Sequence, residues 1–308
     1  MSKPAIQISG LRKTYGKVVA VDGLDLEIET GEIFGLLGPN GAGKTTTIAT
    51  ILGVSRPTGG SVTVFGLDSV RSARKIRAMT GYVMQQIALD RYLTGRENCR
   101  LHGELFGLTG ANRDQRVEEV LAWADLLDAA GRVVNTYSGG MMRRLDLAIS
   151  MLHQPRLIVL DEPTLGLDIE TRRKLWALIG RMKAQGVTIL LTTHYLEEAS
   201  RLCDRVGIMH KGKLVGLGPP EDLKRDVVGE LHQLQVTLSG SIALDGLNLP
   251  VRPERENGHL VFNAAPERLW ETLGILQHTL PEEIQMVSYD QPTLDDVFLK
   301  LTNSEVRA

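Results

Sequence analysis

Ile33-Phe34-Gly35-Leu36-Leu37-Gly38-Pro39-Asn40-Gly41-Ala42-Gly43-Lys44-Thr45-Thr46 joins an apolar strand to a glycine-rich bend and the start of a Thr-rich helix. Gly38 to Thr45 fits G-x-x-x-x-G-K-[ST] in the order strand, loop, helix, which is the context the motif requires. Glycines let the main chain curl so that its N–H groups converge on one point. The helix N-terminus adds partial positive charge there. Such a loop, Gly38, Pro39, Asn40, Gly41, Ala42 and Gly43, cradles a nucleoside triphosphate. Lys44 then reaches the β- and γ-phosphates, the Thr45 hydroxyl ligates Mg²⁺, and Thr46 donates to an adjacent phosphate.

Outward from this loop the chain alternates. Ile6, Ile8 and Leu11, then Val19, Val21, Leu24, Leu26 and Ile28, mark strands with turns at Gly16 and Asp22-Gly23. Ser61 to Phe65 is a further strand. The stretch from about Arg71 to Leu152 reads as mostly helical, with Val117, Val120, Leu121, Ala124 and Leu127 at helical spacing. Past Pro155 the spacing predicts strand 157–160, helix 170–185, strand 187–192, helix 196–204 and strand 206–210. Strands alternating with helices argue for a parallel α/β core. Beyond Pro219-Pro220 the character changes. Strands at 234–238, 260–263 and 284–289, with a helix 266–280 burying Leu269, Trp270, Leu273 and Leu276, predict a small α+β appendage. The expected division is 1–227, with a helical subdomain at about 86–152, and 228–308.

Leu157-Ile158-Val159-Leu160-Asp161-Glu162 is a buried-type strand ending in two carboxylates. At the carboxyl edge of a sheet, where α/β ligands collect, Asp161 would hold Mg²⁺ through water and Glu162 would take a proton from an attacking water. An exposed strand-end pair is the plain alternative for these two residues taken alone.

Composition sets limits. Of 308 residues, 35 are Lys or Arg and 37 are Asp or Glu, so the net charge is −2 and no global field draws in nucleic acid, which is not an expected partner. Cys99 and Cys203 stand far apart, outside any C-x-x-C or His-rich setting, and read as reduced thiols. Met1 to Tyr15 lacks the apolar core of a signal peptide. The most apolar stretches are strand-sized, against about 20 residues for a membrane helix. If this protein moves something across a membrane, another chain supplies the pore.

Tyr137-Ser138-Gly139-Gly140-Met141-Met142, followed by Arg143-Arg144-Leu145-Asp146-Leu147-Ala148, narrows the class. It resembles the signature of ATP-binding-cassette (ABC) ATPases, usually L-S-G-G-Q, in the form carried by drug and lipo-oligosaccharide exporters. Tyr137 and Met141 depart from the consensus Leu and Gln. The resemblance covers about residues 4 to 225. The tail Gln291-Pro-Thr-Leu-Asp-Asp-Val-Phe-Leu-Lys-Leu-Thr302 is similar to the ending of daunorubicin-resistance-type exporter ATPases.

This resemblance implies the P-loop ABC ATPase fold and further roles. Tyr15 would stack on adenine. Gln85, beside Gln86, would sense Mg²⁺ and the attacking water. Asp168, in Leu165-Gly-Leu-Asp168, would cross a dimer interface, and His194 would lie near the γ-phosphate. Ser138, Gly139 and Gly140 would close over ATP held by a second copy, in a homodimer or a paired cassette. A separate integral membrane permease would be the partner, and the protein would sit peripherally on the cytoplasmic face of the cell membrane. Export of a drug, lipid or polysaccharide is the expected direction. A soluble ABC ATPase acting on ribosomes or DNA, and another P-loop enzyme such as a small-molecule kinase, are the alternatives.

Overall fold

The computed structural model describes residues 3–229, 232–239, 247–256 and 259–303, so the first residues of the expected cassette and the last of the expected appendage lie outside it. Two compact units divide the chain, Met1–Pro220 and Glu221–Ala308. The division falls ahead of 227 because the helical turn Lys224–Val228 packs on the helix Leu294–Asn303 of the second unit, where Lys300 Nζ donates to the carbonyl of Val228 at 3.4 Å.

The first unit begins with β1 (Ile6–Tyr15), β2 (Val18–Ile28), β3 (Ile33–Leu37), α1 (Lys44–Ile51), β4 (Gly59–Val64), β5 (Leu67–Asp68), α2 (Ala73–Ala78) and β6 (Thr80–Val83). It continues through α3 (Gly95–Leu105), α4 (Gly110–Trp123), α5 (Gly139–Ser150), β7 (Leu157–Asp161), α6 (Ile169–Ala184), β8 (Thr188–Thr193), α7 (Leu196–Leu202), β9 (Arg205–His210) and β10 (Lys213–Gly218).

β2-β1-β4-β5 form an antiparallel sheet, and β10-β9-β3-β8-β7-β6 form a mixed one. In the mixed sheet β9, β3, β8, β7 and β6 run parallel, and β10 turns back antiparallel on β9. Every residue of β3, β7 and β8 is buried, as expected of parallel strands covered on both faces. Ile6, Leu26 and Val64 of the first sheet share a core with Phe34, Leu36, Val159 and Leu190 of the second, and Ile48 and Ile51 of α1 belong to it.

Two sequence expectations are corrected here. The mostly helical middle contains the strand β6, paired in parallel with β7 from Thr80↔Leu157 to Val83↔Leu160. The helical spacing read from Val117 to Leu127 belongs to α4, which stops at Trp123 because Asp125 takes a left-handed conformation (φ 55°) that breaks it. Elsewhere the caps match the chemistry. Thr94 and Glu97 close a reciprocal capping box on α3, and the Ser138 hydroxyl accepts from Met141 N–H at the head of α5.

α8 (from Pro220 to Leu223) starts on the last residue of the first unit, and the second unit carries β11 (His232–Leu238), β12 (Glu254–Glu256), β13 (His259–Ala264), α9 (Pro266–Thr279), β14 (Ile284–Asp290) and α10 (Leu294–Asn303). Its sheet order is β12-β13-β11-β14, all antiparallel. Leu269, Leu273 and Leu276 of α9 pack with Leu234, Val236 and Phe262. Trp270 does not join them. It is 52% exposed and stacks on Tyr289, with ring centroids 4.7 Å apart. One residue past Leu269 is a rotation of about 100° around the helix, so the inward place falls to Thr272, whose hydroxyl bonds back to the carbonyl of Arg268 at 2.7 Å.

Candidate functional site

Four neighbouring parallel strands end on one edge, and each delivers part of the site. The loop Gly38–Gly43 follows β3. Gln85 follows β6, Asp161 and Glu162 end β7, and His194 follows β8. The register places Leu37 beside Thr193, Thr192 beside Asp161 and Leu160 beside Val83. A cleft of about 370 Å³ is lined by Asn40, Lys44, Thr45, Gln85, Asp161, Glu162, Leu165 and His194. A second cleft of about 320 Å³ shares Asn40, Lys44 and Thr45 and extends to Tyr15, Val18, Val19, Ala20 and the loop through Thr46.

Two glycines of the loop admit no side chain. At Gly43, φ is 107° and an added Cβ would stand 2.5 Å from the carbonyl of Ala20. At Gly38 an added Cβ would stand 2.3 Å from the carbonyl of Met209. No side chain caps α1 and its first turn holds no acid, so its leading N–H groups stay available to an anion. Lys44 is buried and folds back, donating to the carbonyls of Gly38 at 2.6 Å and Pro39 at 3.2 Å. Burial lowers the pKa of its ammonium, against the opposing pull of Glu162 and Asp161.

On the acidic side, Asp161 Oδ1 accepts from the Thr192 hydroxyl at 2.5 Å and Oδ2 from the Tyr82 hydroxyl at 3.5 Å. Burial, then the charge of Asp161, push the Tyr82 phenol up to about 12, so it stays a donor. Glu162 sits at φ 52°, a left-handed conformation costing about 1–3 kcal/mol for a residue with a Cβ. Its Oε2 meets His194 Nδ1 at 2.6 Å and accepts the His194 N–H at 3.3 Å. The His194 side chain is 43% exposed while that of Glu162 is 9% exposed, so the imidazole is the face this pair turns to solvent.

Of the remaining expected residues, Tyr15 lines the second cleft, while Ser138, Gly139, Gly140 and Asp168 line neither. Tyr15 is half exposed, with Lys13 Nζ 4.7 Å above its ring. Ser138 and Gly139 are exposed at the tip of α5 and line neither cleft. A Cβ on Gly140 would stand 2.2 Å from Thr171 Cγ2, so internal packing demands that glycine; a Cβ on Gly139 would meet nothing within 4 Å. The departure Tyr137 points inward, donating to the carbonyl of Ala129 at 2.7 Å. Asp168 caps α6, accepting from Thr171 N–H at 2.9 Å, and that bond first of all holds its carboxyl below the usual range.

Arg143 and Glu198 are buried charges that the residue types do not announce. Arg143, 4% exposed, reaches main-chain carbonyls at the ends of both β6 and β7. Its place on the stripe Gly140, Arg143, Leu147, Ser150 was the available signal, since that spacing puts it on the inward face of α5. Glu198, one helical turn past His194, is fully buried and accepts from Trp176 Nε1 at 3.0 Å; burial raises its pKa. Glu197-Glu198 in sequence looks like an ordinary solvated pair.

Comparison with known proteins bears directly on this geometry. A family model described as ABC transporter matches residues 21–165. The chain is 38% identical over 312 residues to a daunorubicin resistance ATP-binding protein of Streptomyces coeruleorubidus, covering 100% of this chain and 98% of that one. The chain belongs to the ABC transporter ATP-binding protein family. A Nod factor export ATP-binding protein I of Ralstonia nicotianae is 38% identical over 309 residues, covering 99% and 96%. Among solved structures, the dimeric structure of a post-hydrolysis state of an ATP-binding cassette bound to ADP and Pi aligns at TM-score 0.63 and 28% identity, over 70% of this chain and 98% of that one. The ABC cassette described here is therefore a nucleotide-binding ATPase of P-loop fold. Among its described residues no helix is long and apolar enough to cross a membrane.

Proposed function

We propose that this ABC ATPase works as a head-to-tail dimer on the cytoplasmic face of the membrane, where it drives a separate permease that exports a drug, lipid or polysaccharide. The observation that carries the dimer is the split in the site. Lys44, Thr45, Gln85, Asp161, Glu162 and His194 share one cleft, while Ser138 and Gly139 stand exposed outside it. Among the described residues no atom lies within 4 Å of a Cβ added at 139, whereas a phosphate approaching the main chain would need that space. The relative solved as a dimer and the relatives named for drug resistance and Nod factor export support dimer and direction.

In this reading the main-chain N–H groups of Asn40 to Thr46 wrap the β- and γ-phosphates. Lys44 swings from the carbonyls of Gly38 and Pro39 to the phosphate oxygens, and Tyr15 stacks on adenine. Mg²⁺ suits the donors at hand: the Thr45 hydroxyl, the Gln85 amide oxygen and the Asp161 carboxylate are hard oxygens around one cleft. Bound there, it would neutralise charge on the phosphates. Glu162 takes the proton of the attacking water while His194 holds its carboxylate and faces the γ-phosphate. Ser138, Gly139 and Gly140 of the second copy close the open side, with Asp168 beside that junction. ATP thus selects the closed dimer, and hydrolysis removes the bridging contacts.

Gly139→Val separates this reading from a single-chain ATPase. The new side chain finds open space, so the melting temperature should stay near wild type, yet it blocks a phosphate brought by a second copy. ATPase activity should fall by about 10-fold or more. Wild-type turnover by this variant would remove the lid role.

Permease contact is assigned to the segment 87–107. Tyr92 is 90% exposed on a turn fixed by Asn98, whose side chain accepts from Asp90 N–H and donates to the Asp90 carbonyl, each at 2.9 Å. Replacing Tyr92 and Leu93 together by Ala should spare basal ATPase but abolish its stimulation by co-reconstituted permease. Undiminished stimulation would place the contact elsewhere.

A further inference from the structure

Arg143 binds the hydrolytic edge of the sheet from behind. Its Nε donates to the carbonyl of Pro163 at 2.7 Å, one Nη to that of Met84 at 2.6 Å, and the other Nη to those of Glu162 at 3.0 Å and Asp161 at 3.5 Å. Met84 immediately precedes Gln85. One planar group therefore sets the main chain on which both Gln85 and Glu162 hang. A guanidinium can do this because its N–H donors diverge in a fixed fork; an ammonium is a point with three.

The charge is held away from water at some cost. Burial lowers the pKa of Arg143, and Asp146, 3.3 Å away, is the nearest counter-charge. Burial in turn raises the Asp146 carboxyl to about 6. Plain cohesion would be served as well by an apolar side chain of this volume. The carbonyls reached, on two separate strand ends, are the feature an apolar residue could not supply.

We infer that Arg143 is a positioning residue that fixes Gln85 and Glu162 of its own chain, and that it acts on hydrolysis through them rather than through the Ser138 lid on the same helix. The Ser138 hydroxyl is engaged by Met141 N–H, not by Arg143, which agrees with this separation. The inference rests on the head-to-tail reading above, because it assigns Arg143 to one of the two sites that its chain helps to build.

The test uses full-length dimers. Arg143→Lys keeps the charge and loses the fork; its kcat should fall about 100-fold, since small misplacements of reacting groups are that costly. KM for ATP should stay within about threefold, because the phosphate loop is untouched. Arg143→Gln is a second variant, used where Lys lowers the melting temperature.

Mixed dimers, purified through two different tags, then decide which site Arg143 serves. With Arg143→Lys and Glu162→Gln in the same copy, the other site should work as well as in a dimer carrying Glu162→Gln alone in one copy. With the two substitutions in opposite copies, activity should be lost. The reverse pattern would show Arg143 acting through Ser138 and would overturn the inference. So would a Lys variant that keeps wild-type kcat, or one whose KM rises as kcat falls. Failure of Glu162→Gln to form an ATP-dependent dimer on size exclusion would instead strike the head-to-tail reading itself.

Discussion

Glu162→Gln should hydrolyse ATP about 10²–10⁴-fold more slowly than wild type while still binding it, the loss expected when a positioned general base is removed. The substitution leaves shape almost unchanged. An amide oxygen can still accept the His194 N–H that Glu162 Oε2 now accepts at 3.3 Å, and the left-handed backbone at φ 52° is set by neighbours the substitution does not touch. Main-chain bonds hold that turn: Glu162 N–H donates to the carbonyl of Thr192 at 3.0 Å, and Arg143 grips the Glu162 carbonyl at 3.0 Å. What changes is proton affinity, because an amide does not take a proton at neutral pH. Phosphate-release assays read the rate, and light scattering with ATP reads the trapped dimer. Turnover at the wild-type rate would show that another group, His194 first among them, accepts the proton.

Lys44→Ala should weaken ATP binding by roughly 10²-fold or more, following the 2–5 kcal/mol lost when one partner of a buried charge pair is truncated. The buried ammonium now rests on the carbonyls of Gly38 and Pro39, which are neutral acceptors. Phosphate oxygens offer it charge-assisted bonds, about twice as strong. Because burial already lowers the pKa of Lys44, the free protein pays to keep this cation ready. Removing it should therefore cost the nucleotide-free protein little stability, while the rise in melting temperature produced by ATP disappears. Calorimetry that found tight binding to the variant would refute the phosphate-loop assignment.

Local chemistry made much of this site legible. The strand β3, the loop and α1 form one continuous segment, and each step has its own residue signal: an apolar run, glycines, then Lys-Thr-Thr. Asp161 and Glu162 were readable because β7 is an uninterrupted apolar strand that must be buried and must therefore end at a sheet edge.

What escaped depends on distant partners. β6 is four residues long, and Gly81 within it lies so close to Ser150 that a Cβ would stand 2.5 Å from the Ser150 carbonyl. Only pairing with β7 makes it a strand. β10 holds two glycines in six residues and becomes a strand by folding back on β9. Trp270 looks like core by type but lies one position off the buried stripe of α9. Arg143 and Glu198 look solvated by type, and only the carbonyls and the indole they meet explain their burial.

The clamp between two copies is tested most directly by a crystal structure of Glu162→Gln loaded with ATP and Mg²⁺. The expected result is a two-fold dimer in which the Ser138 hydroxyl and Gly139 N–H of one copy lie about 3 Å from γ-phosphate oxygens held by Lys44 of the other. An ATP-loaded monomer competent for turnover, or dimers in which Ser138 faces solvent away from both nucleotides, would contradict it.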